Sequence, residues 1–140
     1  MRLSGSETVL AVDDDPQILA LLREFLKPLG YNVLSAANGE EALKLAASHA
    51  EKIDLLLTDV VLPGMKGQEL ANQLLHSWPE INVLFMSGYL CPSMAHGNSE
   101  QRFDAFIQKP FSPNALLRKI RKLLDCGLSG KQWKTADADI

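Results

Sequence analysis

Cysteine occurs only twice in the 140 residues, at Cys91 and Cys126, too few and too oddly placed for a disulfide framework. Cys91 reads as a loop thiol and Cys126 as the edge of a helix end, both without a chemical role. No stretch approaches the ~18 apolar residues that would span a bilayer, and the opening MRLSGSE has no apolar signal region. A cytoplasmic location is therefore expected. Neither sign of charge dominates. Lys and Arg number 14 against 17 Asp and Glu, and the net charge of −3 lacks the basic face that direct nucleic-acid binding requires. Internal repeats and low-complexity tracts are absent as well. What is present is 46% hydrophobic residues in a chain of single-domain length. Such a domain buries roughly 70% of its unfolded surface and needs no metal or disulfide to fold.

The apolar pattern alternates between short runs and helical spacing. Runs of β character are TVLAV (8–12), YNVLSA (31–36), IDLLLT (53–58), INVLFM (81–86) and DAFIQ (104–108). Near-continuous apolar runs suit parallel strands covered on both faces. Between them, Ile18, Leu22, Phe25 and Leu29 form a helical stripe closed by Gly30. The Asn38-Gly39 turn opens an Ala- and Leu-rich helix over 40–49. Leu70, Leu74 and Leu75 mark a third helix ended by Pro79. Leu116, Ile120, Leu123 and Leu124 mark the last, with Ser112 as N-cap and Pro113 at its first position. The segment 89–102, with Pro92 and Gly97, predicts a short or frayed helix, and 127–140 a flexible tail in which Trp133 could dock on the body. Five alternations of strand and helix predict a doubly wound α/β sheet with right-handed crossovers.

On that frame the polar residues fall in one place. Asp13 and Asp14 follow the first strand, Asp59 the third, Ser87 the fourth and Lys109 the fifth. In a parallel sheet these positions share the carboxyl edge, where open α/β sheets bind ligands. Three carboxylates there repel, by about 4 kcal/mol per pair at ~4 Å and an effective dielectric near 20. A hard divalent cation relieves this, and oxygen-only ligands favour magnesium or manganese. A carboxylate beside such a cation and Lys109 can attack phosphorus, with Lys109 neutralising phosphoryl oxygens and Ser87 donating to one.

Each residue also has a plainer reading. Within DDDP, Asp15 is a fitting N-cap before Pro16, which leaves Asp13 and Asp14 unaccounted for. Asp59 could be a turn former before Pro63-Gly64, Lys109 a solvated lysine, and Ser87 alone carries little information. His49, His76 and His96 read as surface groups, and Trp78 as a cover over the end of the third helix.

The segments VDDDP (12–16), LLLTDVVLPGMKG (55–67), VLFMSGY (83–89) and FIQKPF (106–111), in this order and each at a strand end, resemble a response-regulator receiver domain of two-component signalling. The resemblance covers residues 7–125, leaving 1–6 as a leader or linker remnant and 126–140 as the tail. It implies a flavodoxin-like (βα)5 fold with strand order 2-1-3-4-5. It further implies Asp59 as phosphoacceptor and magnesium held by Asp13, Asp14, Asp59 and the Val61 backbone carbonyl. Ser87 would be the switch hydroxyl, Phe106 the switch aromatic and Lys109 the contact to the acyl phosphate, with a cis bond before Pro110. The implied partner is a sensor histidine kinase or histidine phosphotransfer domain, and no substrate turnover is expected. Gly-Tyr after Ser87 is similar to receivers at the C-terminal end of hybrid sensor kinases.

Two rivals differ in class. An aspartyl-phosphate phosphohydrolase of the haloacid dehalogenase type would carry a second aspartate two residues after the nucleophile, where this chain has Val61. A degenerate receiver acting as a constitutive docking module would not need the full set of five polar side chains found here.

Overall fold

The computed structural model describes residues 3–49, 51–88 and 105–126. Five parallel strands form one sheet in the order β2-β1-β3-β4-β5, the order the resemblance implies. They are β1 (Thr8–Val12), β2 (Asn32–Ala36), β3 (Leu55–Asp59), β4 (Asn82–Ser87) and β5 (Phe106–Gln108). Helices α1 (Pro16–Leu26), α2 (Gly39–Ser48), α3 (Gly67–Ser77) and the Pro113–Cys126 helix cover the two faces. The fourth helix expected within 89–102, with Cys91 and His96, and the 127–140 tail lie outside the described residues.

The central strands are buried on both sides, and their side chains divide with period two. Leu10, Val12, Leu56, Val83 and Phe85 face α2 and α3, packing with Ala42, Ala46, Leu70 and Leu74. Val9, Ala11, Leu57, Leu84 and Met86 form the other core with Leu19, Leu22 and Leu26 of α1 and Leu116 and Ile120. The buried stripe of α1 is therefore centred on Leu19, Leu22 and Leu26, one residue round from the expected one. Ile18, Phe25 and Leu29 pack only at its margin.

Caps fix where the helices begin. Asp15 Oδ1 accepts from the Gln17 N–H at 2.9 Å, and Asn38 Oδ1 from the Glu41 N–H at 2.8 Å. Glu41 reaches back to the Ala37 N–H, also at 2.8 Å, in a variant of the capping box. Ser112 caps the last helix through the Ala115 N–H at 3.1 Å. Gly30 ends the turn after α1 at φ 104°, a left-handed conformation suited to glycine. Four strands begin one or two residues later than their apolar runs, and β3 and β4 also end one residue later. Asp59 and Ser87 are thus the last residues of β3 and β4 rather than the residues after them. The lead-in Asp54 is occupied otherwise, its Oδ2 accepting the Thr8 N–H at 2.9 Å.

Arg121 organises a polar hub that no local pattern in the sequence announces. Its guanidinium makes a two-point contact with Glu7, at 2.6 and 3.0 Å, and donates to Asp125, the Tyr31 hydroxyl and the Ser4 carbonyl. The Tyr31 hydroxyl donates onward to the Leu3 carbonyl at 2.8 Å. The Arg121 hydrogen bond holds the Glu7 carboxyl below its ordinary 4.5, against the opposing effect of burial. A depressed carboxyl stabilises the fold fully above that ordinary value, and the contribution fades as pH falls through the folded-state value. Urea midpoints measured at pH 6 and pH 3 should therefore fall less in Glu7→Gln than in the wild type. No described helix is long and apolar enough to cross a membrane.

Candidate functional site

Strand register brings the polar residues to one edge. Val12 pairs with Ala36, Asp59 with Met86, and Ser87 with Gln108. Backbone bonds continue each ladder past its strand: the Asp13 N–H to Ala36, the Val60 N–H to Met86 and the Lys109 N–H to Ser87. The chain continues into cis Lys109–Pro110.

The alternation of β1 separates the two neighbouring acids. Asp13 is 1% exposed, whereas Asp14 is exposed. Lys109 Nζ donates to Asp13 Oδ2 at 2.7 Å and to Asp59 Oδ2 at 3.2 Å, spanning 96 and 50 positions of chain. Asp13 Oδ1 accepts the Asp15 N–H at 2.9 Å, and Asp59 Oδ1 the Val61 N–H at 3.3 Å. Carboxylate oxygens of Asp13, Asp14 and Asp59 lie within 4.8 Å of one another.

Burial raises the Asp13 carboxyl above the ordinary carboxylate range, and the opposing pull of Lys109 and the Asp15 N–H does not cancel it. Burial opposes the Lys109 ammonium too. There the hydrogen bond and charge of Asp13, with Asp59 beside it, prevail and hold the amine above its usual value. The two directions have different causes: loss of water dominates at Asp13, and the neighbouring carboxylates outweigh that loss at Lys109.

Ser87 is buried at the end of β4. Phe106, half-buried in β5 and paired with Phe85, packs against the core under α2 and α3. Val61 is 65% exposed at the mouth of the site, with no acidic side chain to offer there. Asp13, Asp14, Asp59, Ser87 and Lys109 thus lie along one edge, with Phe106 set inward from it at the start of β5. Thr58, which the sequence pattern did not single out, is fully buried beside them and donates to the Asp59 carbonyl at 3.0 Å. Only its place one residue before Asp59 could have marked it.

The loop after Asp59 closes tightly. Gly64 turns at φ 76°, and the Gly67 N–H returns to the Val60 carbonyl at 2.9 Å. A Cβ on Gly67 would collide with the Asp59 carbonyl. Gly67→Ala should lower unfolding stability by about 1–3 kcal/mol through overpacking, seen as an earlier urea midpoint. Because the displaced group is the backbone of Asp59, the variant should also shift the Asp59 carboxylate relative to Lys109.

Similarity to known proteins agrees with this geometry. The chain belongs to the response regulator receiver domain family, which matches residues 9–121. It is 34% identical over 123 residues to sensor kinase CckA of Brucella abortus, covering 88% of this chain and 13% of that protein. Of three further relatives it spans between 31% and 54% of the length. A CheY-like receiver domain protein from Methanospirillum hungatei superposes with a TM-score of 0.77 at 32% identity, covering 88% of this chain and 97% of that one. TrrA from Thermotoga maritima, in complex with Mg2+–BeF, superposes at 0.70 and 33% identity, covering 84% and 99%. The fold is flavodoxin-like, and the domain is a receiver of two-component signalling.

Proposed function

We propose that this receiver accepts a phosphoryl group on Asp59 from the phosphohistidine of a sensor histidine kinase or histidine phosphotransfer domain. One observation carries this reading: a single ammonium, Lys109, bridges Asp13 and Asp59 while Asp14 completes a three-carboxylate cluster. A carboxylate oxygen of Asp59 attacks phosphorus, and the P–N bond to the imidazole breaks with its electron pair returning to nitrogen. An acyl phosphate remains on Asp59. Lys109 holds positive charge against the phosphoryl oxygens throughout, and the Ser87 hydroxyl donates to one of them. Phe106 then moves towards the space that Ser87 leaves, changing the face presented to partners. Several charge-assisted contacts together can supply the about 5.5 kcal/mol needed to move such a switch from ~1:99 to ~99:1.

The donor set fits a hard divalent cation, since its three side chains offer only carboxylate oxygens. Asp13, Asp14 and Asp59, with the Val61 backbone carbonyl, would hold magnesium or manganese. When bound, that cation supplies positive charge opposite the carboxylates and the phosphoryl oxygens. The TrrA complex with Mg2+–BeF supports the choice by family likeness.

We assign the receiver to residues 7–125, with 1–6 as a leader or linker remnant. Similarity to a sensor kinase over 88% of this chain supports a hybrid-kinase origin. A cytoplasmic location and no direct contact with nucleic acid or membrane complete the reading. Val61, two residues after Asp59, offers no general acid at that position, so no substrate turnover is proposed.

Incubation with acetyl phosphate is the direct test. Intact mass should rise by one phosphoryl group when magnesium is present and stay unchanged when EDTA removes it. Equal labelling with and without the cation would refute the proposed site.

A further inference from the structure

Thr58 is a polar residue in an apolar layer. Alternation along β3 sets its side chain on the sheet face of Leu56, opposite that of Asp59. Its partners across the sheet are Val12 and Phe85, both in the core under α2 and α3. A hydroxyl enclosed there is costly unless it is used, and valine has nearly the same shape without that cost.

Its use is the Asp59 carbonyl, which accepts from the Thr58 Oγ1 at 3.0 Å. That carbonyl lies where strand pairing runs out. The β1–β3 ladder stops at the Val12–Thr58 pair, and beyond it the Asp13 N–H turns to Ala36 of β2. The other polar group of the same peptide, the Val60 N–H, donates to Met86 at 2.9 Å. The Asp59–Val60 peptide is therefore held at its N–H by β4 and at its oxygen by the Thr58 hydroxyl. Close packing of Gly67 on that oxygen leaves room for no side chain between them. This one peptide joins the Asp59 carboxylate to Val61, whose N–H donates back to Asp59 Oδ1.

We propose that Thr58 is a positioning residue for the cation. Its hydroxyl fixes the plane of the Asp59–Val60 peptide, and through it the spacing between the Asp59 carboxylate and the Val61 carbonyl. The inference rests on the cation reading given above and adds to it a side chain that touches neither cation nor phosphoryl group. Losing a group that orients metal ligands lowers metal affinity by about 10–100-fold, and Thr58, acting through backbone, belongs at the low end.

Magnesium titration of the whole, unphosphorylated chain, followed at the Asp59 and Val61 amides in 1H–15N spectra, tests it without phosphoryl transfer. Thr58→Ser keeps the hydroxyl and should saturate at the wild-type magnesium concentration. Thr58→Val should need about tenfold more. Urea midpoints should rank the other way, because serine removes a methyl group from the core and valine removes none. That opposition separates positioning from packing. Should the valine variant fail to fold, Thr58→Ala, which also lacks the hydroxyl, should show the same weakened binding. Valine or alanine variants that bind as the wild type, or magnesium affinity that falls in step with stability whether or not the hydroxyl is kept, would overturn the proposal. A wild type whose amides ignore magnesium would remove the cation reading itself, and this inference with it.

Discussion

Asp59→Asn is expected to reduce phosphoryl incorporation from acetyl phosphate to background while leaving the fold in place. The carboxamide keeps the shape of the side chain and an oxygen to accept the Val61 N–H, now at 3.3 Å. It lacks the anionic oxygen that must form the bond to phosphorus. Lys109 loses the weaker of its two partners and keeps Asp13, at 2.7 Å against 3.2 Å. The unfolding midpoint should therefore shift little, so lost labelling cannot be blamed on lost structure. One of three repelling carboxylates also disappears, and magnesium affinity should fall with it. Intact mass after acetyl phosphate, a denaturant melt and a magnesium titration on one preparation check all three. Labelling of the variant at the wild-type level would move the phosphoacceptor elsewhere.

Lys109→Met is expected to act on stability as strongly as on chemistry. It leaves Asp13, 1% exposed, without the ammonium that neutralises it. Removing one partner of a buried pair costs about 3–5 kcal/mol, and the low end applies because Asp59 and Lys109 retain some access to water. The cost should depend on pH in a definite sense. With Lys109 gone, burial still raises the Asp13 carboxyl and its main counterweight is lost. A raised folded-state value gives stability that is full below the unfolded value and lost as pH rises through the folded one. The gap to the wild type should widen from acid to neutral pH and narrow again on adding magnesium. A gap that is flat with pH would mean that Asp13 is not the group left uncompensated. Phosphoryl loading should fall as well, since the methionine offers no charge to the phosphoryl oxygens.

The site was largely legible because topology did the gathering. Once five apolar runs alternate with helices, a parallel sheet must expose all its strand ends on one edge, and Asp13, Asp59, Ser87 and Lys109 each occupy such an end. Capping chemistry is equally local, so Asp15, Asn38 and Ser112 could be placed from neighbours within four positions. Strand limits were less legible. Asp54 and Ile53 continue an apolar-looking run, yet Asp54 spends its carboxylate on the Thr8 N–H, and the ladder starts at Leu55. The α1 stripe was off by one residue because Ile18 and Leu19 are equally apolar, and only the direction of the packed sheet chooses between them.

Arg121 is the clearest residue that sequence could not assign. It reads as one more cation on an amphipathic helix, and its partners Glu7 and Tyr31 are 114 and 90 positions away. His49, read as a surface group, is half-buried with one ring nitrogen enclosed. Strand and helix periods, cap residues and the order of motifs determined the sheet and the edge where chemistry collects, because each depends on spacing along a few residues. Which of two adjacent aspartates is enclosed, which of two acids Lys109 holds more closely, and which surface arginine becomes a hub were decided only by tertiary packing. Those outcomes depend on distances and water exclusion between segments far apart in the chain, and spacing along the chain does not encode them.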